Sequence, residues 1–381
     1  MDSKIPLYMQ IMEKLKEEIE SGRYASDQKL PTEQELSKKF NVSSITSKRA
    51  LSELERAGLI YRIRGSGSYV KPNPAPPDAI GAEREQNMVA LILPAEDMGS
   101  AFLHCMLGAA EYLQARGYYL SVHASKVDEE RKRFLTELPN KGFKGIIYYP
   151  IGGPNHLELL AGLHYNHFPL VIINRYFEGF PFTFVVSDNY HGALDVTRHL
   201  IRLGHSKIAF VSGADIERTS SDRERYLGYC DGLREAGIPL RSDLAVNDAM
   251  KGKSGYPDEM QYYTDLVQEL LGKGVTAIVG GNDLLALNLI KSATKIGVRI
   301  PDELSITGFD NREELLHLDI PVTTVAQNFH EIGRIAAEKI VRSIEQKQNG
   351  SEKIIVPTAL IERRSSGAAP GANADRVPVD R

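Results

Sequence analysis

The sequence contains no tryptophan, and only two of its 381 residues are cysteine. Without an indole, any aromatic platform for a ligand must be Phe or Tyr. Cys105 and Cys230 lie far apart and outside any CxxC spacing, which argues against a zinc site or a disulfide and for buried free thiols. No apolar run approaches the roughly 18–20 residues of a membrane span. The opening stretch MDSKIPLYMQIMEKLKEEIE is charged and amphipathic, with no signal-peptide core. A cytoplasmic protein with no membrane partner is the expectation. Catalytic signatures are missing too. There is no strand–GxGxxG–helix stretch, P-loop, GxSxG or HExxH, and Gly280-Gly281 alone is too little for a nucleotide site. His104, His123 and His156 are scattered. No enzyme activity, no cofactor and no metal is expected.

What the chain does have is a charge asymmetry. The net charge is −4, yet residues 1–71 carry a balance of +3 and the remainder −7. Between residues 43 and 71, Lys48, Arg49, Arg56, Arg62, Arg64 and Lys71 outnumber Glu53 and Glu55. A basic segment on an acidic body suits nucleic-acid contact, although a merely solvated helix face looks the same. Residues 71–81, KPNPAPPDAIG, hold four prolines that prevent helix and discourage strand. An extended linker over 72–86 therefore divides an N-terminal domain, 1–71, from a larger one, 87–365. Residues 366–381 are small, polar and Pro-containing, and read as a disordered tail.

The N-terminal domain reads as three helices and a hairpin. Leu7, Ile11, Leu15 and Ile19 recur every four residues as the buried stripe of a first helix, between Pro6 and Gly22. Thr32 with Glu35 forms a capping box that starts a second helix ending near Phe40. Asn41-Val42 turns, and Ser43 caps a third helix that Gly58 stops. Leu59–Ile63 alternates as a strand, Arg64–Gly67 turns, and Ser68–Val70 returns. This order is a winged helix-turn-helix. Its third helix would present Ser43, Ser44, Thr46, Lys48 and Arg49 to the major groove; a small protein-interaction domain is the plainer alternative.

The run LPTEQELSKKFNVSSITSKRALSELERAGLIYRIRGSGSYV resembles the DNA-binding domain of the GntR family over nearly all of residues 5–71. The resemblance implies DNA contacts at Thr32 and Gln34, at Ser43, Ser44, Thr46 and Lys48, and at Arg64 and Gly65 in the wing; Arg49 joins them from the residue pattern. In one respect the chain departs from the family. Ser44 stands where the family usually has a guanine-reading arginine. Either the operator differs from the family's common one, or Lys48 and Arg49 take over part of the readout.

The larger domain alternates nine short apolar runs, from MVALILP (88–94) to TTVAQ (323–327), with longer helix-period segments. Repeated βα units imply parallel sheets covered by helices on both faces. The number of strands implies two doubly wound sheets, and so an α/β domain of two lobes with a cleft. Ligands collect beyond the carboxyl ends of such strands, where Asn174, Arg175, Asp188, Asn282, Asp283 and Asp310 lie, with Arg225 early in a following helix. Asp and Arg can each hold vicinal hydroxyls, and Phe102, Tyr176 or Phe177 can cover a sugar face. Asp188 and Asn282-Asp283 also read as helix N-caps.

The stretches VIINR, VVSDNYHGALDVTRHLIRLGHSKIAFVSG, RYLGYCDGL, IVGGNDLLALNLIKSATKIGVRIPDELSITGFDN and PVTTVAQNFHEIGRIAAEKIV resemble the effector domain of the LacI family, which shares the periplasmic sugar-binding-protein fold. That resemblance implies effector contacts at Arg225 and Asp283 first, then Asn174, Asp310 and Gln327, with Phe102 as the aromatic. A GntR-like reader on a LacI-like sensor is the architecture of arabinose-repressor-type regulators. It implies a homodimer on double-stranded operator DNA, repressing under control of a monosaccharide such as arabinose. The linker prolines exclude the LacI hinge helix, so coupling would run through the linker attachment and dimer geometry. A regulator of a non-sugar or phosphorylated metabolite, a cytoplasmic solute-binding protein and a doubly wound enzyme are the alternatives.

Overall fold

A computed structural model describes residues 6–63, 66–71, 87–95, 99–150, 156–256 and 258–371. The chain divides into two compact units, Met1–Gln86 and Asn87–Arg381. Arg64, Gly65 and the linker expected over 72–86 lie outside the described residues.

In the first unit, α1 (Leu7–Glu20), α2 (Glu33–Phe40) and α3 (Ser44–Arg56) precede an antiparallel hairpin of β1 (Ile60–Ile63) and β2 (Gly67–Val70). Ile11, Leu15 and Ile19 pack with Leu36, Leu51, Leu54, Leu59 and Val70 in one core. Leu7, expected on the same stripe, is 57% exposed. A strict four-residue spacing drifts about 40° per step around a helix of 3.6 residues per turn, so the first member of the series has rotated away from the core. The expected capping box at Thr32 and Glu35 is present, and Ser43 caps α3 by accepting from the Thr46 amide. Asn41 makes the turn between α2 and α3 in the left-handed conformation, φ 50°.

The second unit has two lobes, as the strand count implied. In the first, β3 (Met88–Pro94), β4 (Tyr119–Ser125), β5 (Gly145–Tyr148), β6 (Leu170–Ile173), β7 (Thr183–Ser187) and β13 (Lys353–Val356) form a parallel sheet ordered β13-β7-β6-β5-β3-β4. Strand alternation sends Val89, Leu91 and Leu93 to one face, against α4 (Ser100–Gln114) and α12 (Phe329–Gln346). Ala90 and Ile92 go to the other, against α5 (Asp128–Glu137) and α6 (Leu157–Tyr165). Helices α4 and α12 meet through Gly108 and Gly333. A Cβ on either would collide with backbone of the opposite helix, at His330 and Cys105 respectively.

The second lobe is a parallel sheet ordered β11-β10-β8-β9, built from β8 (Ile208–Val211), β9 (Ala245–Val246), β10 (Ala277–Gly280) and β11 (Ser305–Thr307). Around it lie α7 (Asn189–Arg202), α8 (Ser220–Glu235), the short α9 (Ala249–Gly252), α10 (Glu259–Gly272) and α11 (Asp283–Lys295). The chain crosses between lobes after β7, after β12 (Thr324–Gln327) and again into β14 (Thr358–Ile361), which pairs antiparallel with β12. Nothing in the sequence pattern had marked β13 or β14. Residues 366–369, expected to open a tail, are packed instead. The Gly367 carbonyl lies 3.0 Å from His205 Nε2, and the Ala369 amide donates to the Leu203 carbonyl. Cys105 is buried and Cys230 half-buried, both free thiols.

Candidate functional site

On the first unit, the exposed end of α3 carries Ser43, Ser44, Ile45, Lys48 and Arg49, with Thr46 half-buried and Thr32 and Gln34 exposed nearby in sequence on α2. These side chains are not equally free. Ser43 Oγ is 2.8 Å from Thr46 Oγ1 and accepts from the Thr46 amide, while Thr32 is occupied in its capping box. Arg49 lies over the Tyr8 ring, 4.1 Å from its centroid, so α1 holds it. Lys48 has no ion-pair partner among the described residues. Arg62 of the hairpin is neutralised by Glu33 at 2.9 Å. Ile45, 78% exposed, is the residue that sequence reading passed over. Its signal was an isoleucine on the side of α3 opposite Ser47, Ala50, Leu51 and Leu54, where an apolar side chain has no internal partner.

In the second unit a cavity of about 110 Å³ lies between the lobes at the carboxyl ends of their strands. Five of the six residues expected at an effector site line it: Phe102, Asn174, Arg225, Asp310 and Gln327. Asn174 directly follows β6 and Asp310 follows β11, with φ of 69° and 117°. Backbone held in this region by a non-glycine residue is costly and gathers at functional sites. Asn174 donates to the Tyr149 hydroxyl, 2.6 Å, and the Tyr149 ring packs edge-on against Phe102. Burial pushes the Tyr149 phenol up, keeping it neutral.

Arg225 is the best-anchored cation of the cavity. Its guanidinium donates to Asn189 Oδ1 at 2.8 Å and to the Gly281 carbonyl at 2.6 Å, and stacks 3.8 Å from the Phe309 centroid. Asp310 stands 3.7 Å from it and accepts from Gln327, whose own carbonyl oxygen accepts from Ser187. Burial raises the Asp310 carboxyl to about 6, against the lowering effect of Arg225 and of the Gln327 hydrogen bond.

Asp283, expected to be a leading contact, does not line the cavity. It is the first residue of α11, and its two oxygens accept from Thr324 Oγ1 and from the Arg312 amide, tying α11 to β12 and to the loop after β11. Burial first, then the charge of Asp310, raises it to about 7. Its neighbour Asn282 lines the cavity and also caps α11. Asp188 acts as the cap of α7. Tyr176 and Phe177 pack in the aromatic core of the first lobe and leave Phe102, Tyr149 and Phe329 as the cavity's rings. Arg175, expected among the polar strand-end residues, also lines the cavity, and Ala101, Ser221, Asp222 and Arg312 complete the lining without having been singled out beforehand.

At the cavity's rim the lobes are joined directly. Glu314, after β11, accepts from the backbone amide and hydroxyl of Ser100 at the start of α4, at 2.5 and 3.1 Å. Glu313 lies 3.0 Å from His104. A carboxylate at a helix N-terminus is favourably placed. Gly99 makes the approach possible, since a Cβ there would overlap Arg312 and Glu314.

Residues 7–70 match the family described as bacterial regulatory proteins, gntR family, and residues 197–366 the periplasmic binding protein-like domain. Over 372 residues the chain is 30% identical to the arabinose metabolism transcriptional repressor of Geobacillus stearothermophilus, covering 96% of this chain and 99% of that one. It is 31% identical to the HTH-type transcriptional repressor PurR of Pectobacterium carotovorum over 259 residues, 67% of this chain and 73% of the relative. The fold resembles a transcriptional regulator CelR–cellobiose complex, with TM-score 0.64, 21% identity and 85% and 92% of the two chains covered. It equally resembles the transcription regulator CcpA of Lactococcus lactis, with TM-score 0.64, 22% identity and 74% and 99% covered. A gntR-type reader, a periplasmic-binding-protein-like sensor and near-complete alignment with a repressor built the same way place this chain in the family of the arabinose metabolism transcriptional repressors, DNA-binding regulators under effector control.

Proposed function

We propose that the chain represses transcription as a homodimer on a palindromic operator and that a small polyhydroxylated effector in the interlobe cavity sets its operator affinity. The observation that carries this reading is the cavity itself. It lies between the lobes, is lined by fixed polar groups at the strand ends of both, and is floored by an arginine whose position three hydrogen-bonding and stacking partners determine. Its volume of about 110 Å³ suits a ligand of monosaccharide size or smaller, well below the roughly 300–1,000 Å³ of drug-sized sites. The relatives' names make arabinose the reference ligand.

The effector contacts are Phe102, Asn174, Arg225, Asn282, Asp310 and Gln327; Asp283 supports them from behind. DNA is contacted by Thr32, Gln34, Ser43, Ser44, Thr46, Lys48 and Arg49, with Arg64 and Gly65 of the wing. Ile45 adds an apolar contact suited to a thymine methyl group. Leu103 and Leu107, one turn apart on α4, and Tyr119 and Val122 of the edge strand β4 are exposed apolar residues, which supports pairing of two sensor units.

An effector that binds the closed lobes better than the open ones shifts the population toward closure. Effector and operator must then alter each other's affinity by the same factor. The test is an anisotropy titration of the full chain on DNA that it selects from a random library, with and without each sugar that raises its melting temperature. A change in operator affinity supports the reading. Equal affinity with every stabilising sugar refutes it.

A further inference from the structure

The cavity holds a cation with nothing to neutralise it. Arg175 follows Asn174 at the end of β6 and lines the cavity. Its Nε is buried without a hydrogen-bond partner, and the guanidinium makes no ion pair or hydrogen bond among the described residues. Buried polar groups in folded proteins are almost always bonded, and an exception calls for an explanation. An arginine cannot escape by losing its proton.

The cavity's carboxylates do not supply the missing charge. Asp310 is engaged by Arg225 and Gln327. Asp222, in the first turn of α8, accepts from the Ser212 and Ser221 hydroxyls at 2.8 and 3.1 Å and benefits from the helix N-terminus. Asp283 is bound to Thr324 and the Arg312 amide and lies outside the lining. Each acid has its own donors. The cavity's third arginine, Arg312, lies 3.6 Å from Glu314, so Arg175 is left with a planar fork of donors, the geometry that matches a carboxylate or phosphate.

We propose that the effector is an acidic sugar derivative, a polyhydroxylated chain or ring bearing one oxyanion group that pairs with Arg175. A planar carboxylate, as in an aldonic or uronic acid, meets the planar guanidinium fork with two parallel hydrogen bonds. The oxyanion occupies the Arg175 side in the first lobe, while the fixed acids and Asn282 take the hydroxyls from the second. This inference rests on the reading of the cavity as the effector site and narrows its ligand class.

The experiment is calorimetric titration of the full chain with arabinose, glucose and galactose, with arabinonate, gluconate, glucuronate and galacturonate, and with arabinose 5-phosphate and glucose 6-phosphate. The expected result is at least one carboxylate that binds about tenfold or more tighter than its neutral parent. Arg175→Gln should erase that margin and Arg175→Lys should restore part of it. A margin found for a phosphate ester and for no carboxylate would retain the oxyanion and overturn the sugar-acid assignment. Neutral sugars binding as tightly as their acids in the unmodified chain would overturn the proposal while leaving the cavity reading intact. So would a loss in Arg175→Gln that is equal for neutral and acidic ligands, which would make Arg175 a closure partner for a protein group. No binding by any member would overturn both readings. The unmodified chain alone decides between acid and neutral parent, so a variant that fails to fold does not leave the question open.

Discussion

Arg225 and Asp310 stand 3.7 Å apart in the cavity wall, and Arg225 is fixed from three sides before any ligand arrives. A preorganised cation of this kind costs little to engage. Arg225→Ala should lower effector affinity by about 10–100-fold and leave operator binding in the absence of effector unchanged. Asp310→Asn should weaken the effector less, because Gln327 still has a partner. Calorimetry for the effector and anisotropy for DNA separate the two effects.

On the DNA side, Lys48→Ala should weaken operator binding and reduce the slope of log affinity against log salt by about 0.9, the value of one phosphate contact. Ile45→Ser should leave that slope unchanged and cost affinity only for sequences with thymine at one position. Ser43→Ala is a poor probe of contact, because it also removes the cap of α3, worth about 1 kcal/mol of stability.

The raised Asp283 carboxyl gives a pH signature. Its folded value of about 7 exceeds the ordinary 3.8, so between those limits the folded chain binds a proton that the unfolded chain has lost. Stability from this group is therefore full below about pH 4 and declines as pH rises toward 7. Asp310, raised to about 6, acts in the same direction. Asp283→Asn should flatten the fall in melting temperature between pH 5 and 8 and gain most at the alkaline end, as urea melts across that range would register.

Gly333→Ala should destabilise the sensor unit by about 2 kcal/mol or more, since the added methyl meets the Cys105 carbonyl rather than a movable side chain. Gly108→Ala meets the His330 carbonyl and should behave alike. Two such changes should add up to less than their sum, because the first already forces α4 and α12 apart. Chemical denaturation of both single variants and the double variant measures this.

Local rules made much of this protein legible. The Thr32–Glu35 box and the Ser43 cap each act over three residues, so spacing suffices to find them. Nine of the first ten strands of the sensor unit, all but two-residue β9, coincide closely with apolar runs, most of them because buried parallel strands are apolar on both faces. Strands β13 and β14 are half-exposed and carry no such signal. Contacts distant in sequence were hidden for the same reason. The packing of Gly367 depends on His205, 162 residues away. Between Asn282 and Asp283, the turn into α11 decides which side chain faces the cavity, and composition is blind to that rotation. Arg175 and Asp222 matter only through one another's surroundings, which come from separate lobes.

The rim contacts of Ser100 and His104 with Glu314 and Glu313 bear on time as well as on affinity. Parting of the lobes widens the way into the cavity, and parting breaks these bonds. Effector exchange is then gated by the protein's own opening, on the microsecond-to-millisecond scale of hinge motions. The regulator would keep a memory of a recent ligand for as long as the rim stays shut, and Glu314→Gln would shorten it.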